Sequence, residues 1–209
     1  MILRVEEHRH LAQLLLRSLH SEAMLNKFMR VGALKRGMGA TVFWIPGPWR
    51  GRLGIVPRPR GAEWLDDEVR AWREAGINVV VSLLELHEES EFGLAGESPS
   101  SAAGGLEFRS FPSPNRSVPK SRESVAQLTS RMVEALNAGK NVVLHCRQSI
   151  GRSGMIAAAA LISSGEDPGT ALENIRRSRG VEVPETEAQR RWLSDFSSWL
   201  SHKEKVTWR

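Results

Sequence analysis

The stretch that most constrains this chain runs Val142-Val143-Leu144-His145-Cys146-Arg147-Gln148-Ser149-Ile150-Gly151-Arg152-Ser153-Gly154. A β-branched apolar run enters a cysteine, a short loop follows, and an arginine then opens an unusually apolar segment that reaches Ile162. This order predicts a buried strand, a tight loop and a helix N-terminus in immediate succession. The first N–H groups of a helix lack partners within it, and they point, with the positive end of the dipole, into the loop before them. Such a loop is a nest for an anion the size of phosphate, and Cys146 holds its thiol at the centre.

Several influences favour the thiolate of Cys146 over the thiol. They are the loop N–H groups, the positive end of a helix from about Ser153 to Ser164, and the guanidinium of Arg152. A thiolate there is a nucleophile at neutral pH. Arg152, a planar fork of donors, suits two oxygens of a tetrahedral oxyanion and the equatorial oxygens of its transition state. Ser153 can donate a hydrogen bond to the sulfur and ease its departure in a second step. Together these features describe phosphoryl transfer through a phosphocysteine, with the loop supplying positioning and electrostatics.

The pattern His145-Cys146, five residues, Arg152-Ser153 resembles the signature of the cysteine-dependent protein tyrosine and dual-specificity phosphatases, small bacterial members among them. The resemblance implies Cys146 as nucleophile, Arg152 on the phosphoryl oxygens and Ser153 assisting the leaving sulfur. Arg147, Gln148, Ser149, Ile150, Gly151 and Arg152 would bind the phosphate, with no metal and no cofactor. In the family a general acid, an Asp on an upstream loop, protonates the leaving group, and bacterial members carry it in a Phe-Pro-x-Pro-Asp-Arg-x-Val-Pro frame. Here Phe111-Pro112-Ser113-Pro114-Asn115-Arg116-Ser117-Val118-Pro119 fits that frame with Asn115 in the acid position. An amide can hydrogen-bond a leaving oxygen but has no proton to give it. Three consequences stay open: a slow enzyme, or one suited to esters that need little protonation; another carboxylate in the role, with Glu123 and Glu185 as candidates; or a pseudophosphatase that binds phosphorylated ligands without turnover.

Other positions carry two readings. Ser149 stands where most relatives have Gly, which permits positive φ and close backbone approach; Ser is accommodated if its φ is negative, or else strains or narrows the cradle. Thr186 with Gln189 three residues later is a capping-box pattern, and the segment also resembles the family loop whose Gln places the hydrolytic water. His145 either bonds into the loop and tunes Cys146 or is simply packed at a strand end. Arg147 suggests a basic rim, or a solvated side chain.

Composition sets limits around this site. The 209 residues suffice for one domain with a full core. No run of eighteen apolar residues exists, so no membrane span is expected. One cysteine excludes an internal disulfide or a cysteine metal cluster, and an exposed reactive thiol suits a reducing compartment, the cytoplasm. A net charge of +5 favours anionic partners such as a phosphorylated protein or another phosphate monoester, and no nucleic-acid motif accompanies it. The chain has no Tyr, so the Tyr-bearing wall that deepens the pocket of strict tyrosine phosphatases is missing and a shallow, broad pocket is expected. Neither the oligomeric state nor a phosphoinositide or other small-molecule substrate is decided by these residues.

Along the chain, residues 1–39 read as a weakly amphipathic helical extension without the pattern of a signal peptide. Residues 40–202 read as the phosphatase domain and 203–209 as a tail. Strands are expected at Val42–Ile45, Leu53–Val56, Ile77–Leu84 and Leu106–Phe111. Helices are expected through Leu65–Trp72, around Leu86–Phe92, from Ser121 to Gly139, over Met155–Ile162, from Asp167 to Gly180, and through Trp192–Leu200. Glu91 to Gly105 reads as a loosely ordered loop. Strands alternating with helices make the fold α/β: a central, largely parallel sheet flanked by helices, resembling a protein tyrosine phosphatase, with an N-terminal helical extension.

Overall fold

A computed structural model describes residues 39–207, with side chains to residue 203; the helix expected over residues 1–38 lies outside them. Two short strands, β1 (Phe43–Ile45) and β2 (Leu53–Ile55), pair antiparallel through the Pro-rich turn between them. Strands β3 (Val79–Ser82), β4 (Glu107–Ser110) and β5 (Val142–His145) complete a sheet ordered β1-β2-β5-β3-β4, in which every pair except β1–β2 is parallel. Strand β5 is therefore the middle strand, and Val79↔Val142 to Ser82↔His145 fix its register against β3. Every residue of β3 and β5 is buried, which is why both read as unbroken apolar runs rather than as an alternation.

Among the described residues seven α-helices flank the sheet: α1 (Leu65–Glu74), α2 (Leu86–Glu91), α3 (Glu97–Ala103), α4 (Arg122–Asn137), α5 (Gly151–Ser163), α6 (Pro168–Arg179) and α7 (Glu187–Thr207). Their ends follow the capping chemistry. Ser121 accepts the Ser124 amide, Asp167 accepts those of Gly169 and Thr170 ahead of Pro168, and Gly180 closes α6 at φ 69°. The period-two alternation of the strands divides the core. Val79, Val81, Val142, Leu144 and Cys146 face α4 to α7, whereas Val80 and Val143 face Val69, Trp72 and Leu94 on the other side. Helix α5 is the hub of the first layer, packing on α4, α6 and α7, and Gly151 through Ile162 are all buried. Its Ala157–Ala160 run lets neighbouring helices approach closely, so the helix that carries the loop's arginine cannot shift without repacking three others.

One expectation fails. Residues 97–103, read as part of a loose loop, form helix α3. Pro99 lies in its first turn, where a missing N–H costs nothing, and small polar residues give the segment no apolar stripe to detect. Its inward-facing residues, Glu97 and Ser101, are polar and buried, with Glu97 Oε1 2.7 Å from His145 Nε2 at the end of β5. Strand ends also fall one or two residues inside the expected limits: Ile77 and Leu84 are buried but lie outside the ladder.

Candidate active site

Cys146 follows the last residue of β5 and is buried, with Sγ 3.6 Å from the hydroxyl oxygen of Ser153 in the first turn of α5. The intervening loop is fastened from three directions. The Leu83 amide beyond β3 donates to the His145 carbonyl at 3.1 Å. Arg179, near the end of α6, donates from Nε to the Ser149 carbonyl at 3.1 Å and lies 3.9 Å over the Phe43 ring. Ser149 itself has φ 55° and donates from Oγ to the Val56 carbonyl at 2.6 Å. Of the two outcomes left open for Ser149, the structure takes positive φ: the serine holds a left-handed backbone conformation that favours glycine, and its side chain bonds the chain just past β2.

Arg152 is almost fully buried, and its guanidinium is positioned by a residue that the sequence reading missed. Glu88 on α2 grips it end-on, with Nη1 donating to Oε2 at 2.6 Å and Nη2 to Oε1 at 2.8 Å. Nη1 also donates to the carbonyls of Leu83 (3.1 Å) and Ser113 (2.9 Å). These contacts occupy the far end of the fork and leave the Nε–H edge to meet an oxyanion in the loop. Burial works against a charge on Glu88, but the Arg152 hydrogen bonds, the Glu85 amide and the Arg152 charge hold its carboxyl below the ordinary value. Burial likewise opposes the Arg152 charge, and Glu88 and Cys146 more than offset it. The only sequence hint of Glu88 was the Glu-rich composition of the segment after β3, which reads equally well as a solvated helix face.

At the rim, Arg147 is half-exposed and pairs with Glu91 through two hydrogen bonds of 2.8 and 3.0 Å. It lies 4.8 Å from the Phe92 ring centre, and Arg58 lies 3.6 Å from the same ring. The basic rim exists, but Glu91 tethers its nearest cation. Gln148 is exposed on the loop. His145 points away from the thiol: Nε2 is 2.7 Å from Glu97 Oε1, the ring packs 6.1 Å from that of Trp72, and both partners lie on the far side of the sheet.

The loop holding Asn115 is anchored on either side of it. Arg152 takes the Ser113 carbonyl, and Gln189 donates from Nε2 to the Ser117 carbonyl at 3.0 Å. Asn115 is exposed between these ties, and Arg116 beside it has φ 54°. Gln189 is fully buried and completes the expected capping box: its amide donates to Thr186 Oγ1, and its Oε1 accepts from the amides of Thr186 and Glu185. The two substitute carboxylates separate. Glu123 is exposed and accepts from Ser121 Oγ at the start of α4. Glu185 lies against the phosphate loop, with Oε2 2.8 Å from the point that a Cβ on Gly151 would occupy, and Gln189 Nε2 is 3.4 Å from the same point. Gly151 thus permits close approach of Glu185 and is not held at a positive φ.

A buried thiol at the mouth of a parallel strand, a helix N-terminus behind it and an arginine held ready for an oxyanion define a cysteine-dependent phosphatase. The family model described as "Polymorphic toxin system, DSP-PTPase phosphatase" matches residues 55–166, more than half of the chain, and the chain belongs to that family. Among solved structures, Tk-PTP in its active form is 30% identical, with 71% of this chain and 92% of that one covered and a TM-score of 0.59. A kinase associated phosphatase with its catalytic-site cysteine changed to serine shares the fold at 18% identity, covering 78% and 97% at a TM-score of 0.70. PTPMT1 in complex with PI(5)P does so at 17%, covering 77% and 99% at 0.63. A search of curated proteins finds no match. Among the described residues no helix is long and apolar enough to cross a membrane.

Proposed function

We propose that residues 40–202 hydrolyse phosphate monoesters of proteins through a phosphocysteine on Cys146. The observation that carries this reading is the anchoring of Arg152 by Glu88 beside a buried Cys146 whose sulfur has Ser153 as its neighbour. The Cys146 thiolate attacks phosphorus in line, an S–P bond forms and the ester oxygen leaves. The Nε–H edge of Arg152 and the N–H groups from Arg147 to Arg152 receive the equatorial oxygens and stabilise the charge that spreads over them. Water then attacks the phosphocysteine, the S–P bond breaks, and Ser153 donates to the departing sulfur. Arg147, Gln148, Ser149, Ile150 and Gly151 form the phosphate loop, and Asn115 is exposed on the segment that Ser113 ties to Arg152. The lone thiol suits a reducing compartment, and the cytoplasm is the proposed location.

A phosphoprotein substrate agrees with the positive charge and with a chain that has no Tyr to build a deep pocket wall. The decisive experiment is hydrolysis of phosphotyrosine and phosphothreonine peptides by the wild type and by Cys146→Ser. Turnover is expected in the wild type and none in the variant, which retains tungstate binding. Binding of phosphopeptides by the wild type with no turnover of either would overturn the hydrolytic reading and leave a phosphate-recognising module.

A further inference from the structure

The position that should hold the acid is an exposed amide, yet a carboxylate does adjoin the phosphate loop. Resting on the phosphatase reading above, we propose that Glu185 supplies the proton to the leaving group in place of residue 115. Three observations lead there. Glu185 packs on Gly151, the residue just before Arg152 in the loop, so closely that a methyl group on Gly151 would collide with Oε2. Its backbone is fixed, because the Glu185 amide donates to the buried Gln189 side chain at 3.1 Å. Among the described residues its carboxylate is the least committed beside the loop: Glu88 is consumed by Arg152 and Glu91 by Arg147, whereas the cation paired with Glu185 is Arg116, itself largely exposed, at 3.9 Å.

Gln189 strengthens the assignment. Its Oε1 accepts two backbone amides and its Nε2 donates to Ser117, so the glutamine serves as a clamp between the α7 entrance and the Asn115 loop. The neighbouring side chain that can still exchange a proton is that of Glu185. In the first step the thiolate forms the S–P bond, the P–O bond to the leaving group breaks, and that oxygen takes the proton of the Glu185 carboxyl. In the second, water attacks phosphorus and gives its proton to the Glu185 carboxylate, the S–P bond breaks, and thiolate and phosphate are restored. Protons and charges balance over the cycle, and no further reactant is needed.

The test compares wild type, Glu185→Gln, Glu185→Asp and Glu123→Gln on phenyl phosphate, whose leaving group demands a proton, and on a fluorinated umbelliferyl phosphate, whose leaving group does not. Glu185→Gln should lower kcat/KM on phenyl phosphate by about 10²–10⁴-fold and on the activated ester by less than about tenfold, as loss of a general acid requires. Glu185→Asp, which keeps the carboxyl, should retain part of the rate on phenyl phosphate, while tungstate binding and Glu123→Gln activity stay unchanged. An equal loss on both esters, no loss on either, or a selective loss in Glu123→Gln overturns the assignment. Wild type inert towards both esters overturns the phosphatase reading itself, a result distinct from each of these.

Discussion

Two loops meet at Arg152, and they are built on opposite terms. The phosphate loop, 146–152, is locked: its arginine is buried and bonded at four acceptors, its serine is tied to Val56, and the helix behind it is packed on three neighbours. The loop 112–119 is pinned at Ser113 and Ser117 but leaves Asn115 in solvent. Oxyanion binding depends on fixed dipoles, whose value lies in not having to reorganise. Proton delivery depends on the identity of one side chain, which one substitution removes without disturbing the fold. A change in the first loop therefore threatens both structure and rate, whereas a change at the exposed Asn115 should alter neither greatly while Glu185 supplies the proton.

The largest break in this contrast should come from Arg152→Lys. An ammonium cannot grip Glu88 with one edge and an oxyanion with another. Turnover should fall by at least about 10³-fold, the scale on which an arginine stabilises phosphoryl-transfer charge. Steady-state kinetics with tungstate competition checks it, and a modest loss with intact tungstate affinity would mean that the loop amides alone carry the anion.

Glu88→Gln comes next and sharpens the comparison, because Glu88 touches no substrate. Removing one partner of a buried ion pair outright costs about 3–5 kcal/mol, and Gln, which keeps one acceptor, should cost about 2–3 kcal/mol. The pH dependence has a definite sign. Because the folded carboxyl is held below its ordinary value, the stability it contributes is complete above the ordinary carboxylate range and is lost as pH falls through the lower folded value. Urea denaturation at several acidic pH values should show this decline in wild type and a flatter profile in Glu88→Gln. Parallel profiles would remove Glu88 from the account.

What could be read from sequence divides along the same line. Cys146, Arg152 and Ser153 were legible because strand, loop and helix are contiguous, and local geometry alone dictates an anion site. The parallel sheet with β5 at its centre followed from the apolar runs. Glu88, Arg179 and Glu97 were not legible: each reaches the loop or β5 across the fold, from a segment whose own pattern is an ordinary polar helix. Helix α3 was missed because its buried residues, Glu97 and Ser101, are polar and give the segment no apolar stripe; Glu97 meets His145 across the fold, which no local propensity encodes. The same contact resolves the two readings of His145, since alternation along β5 sends Cys146 and His145 to opposite faces.

The smallest expected effect lies at Ser149, inside the locked loop. A non-glycine residue at φ 55° carries a cost of roughly 1–2 kcal/mol. The bond from its hydroxyl to the Val56 carbonyl is buried and returns about 0.5–1.5 kcal/mol. Ser149→Gly removes cost and bond together, so its stability should stay within about 1 kcal/mol of wild type. Ser149→Ala keeps the strained backbone, loses the bond and leaves a buried carbonyl short of a donor, so it should lose about 1–3 kcal/mol. Thermal denaturation of the pair decides between these terms. If Ser149→Ala is as stable as wild type, the hydroxyl is a bystander and helix packing alone holds the loop. If it is weaker than wild type, a single side-chain bond holds this serine in a backbone conformation that glycine reaches without help.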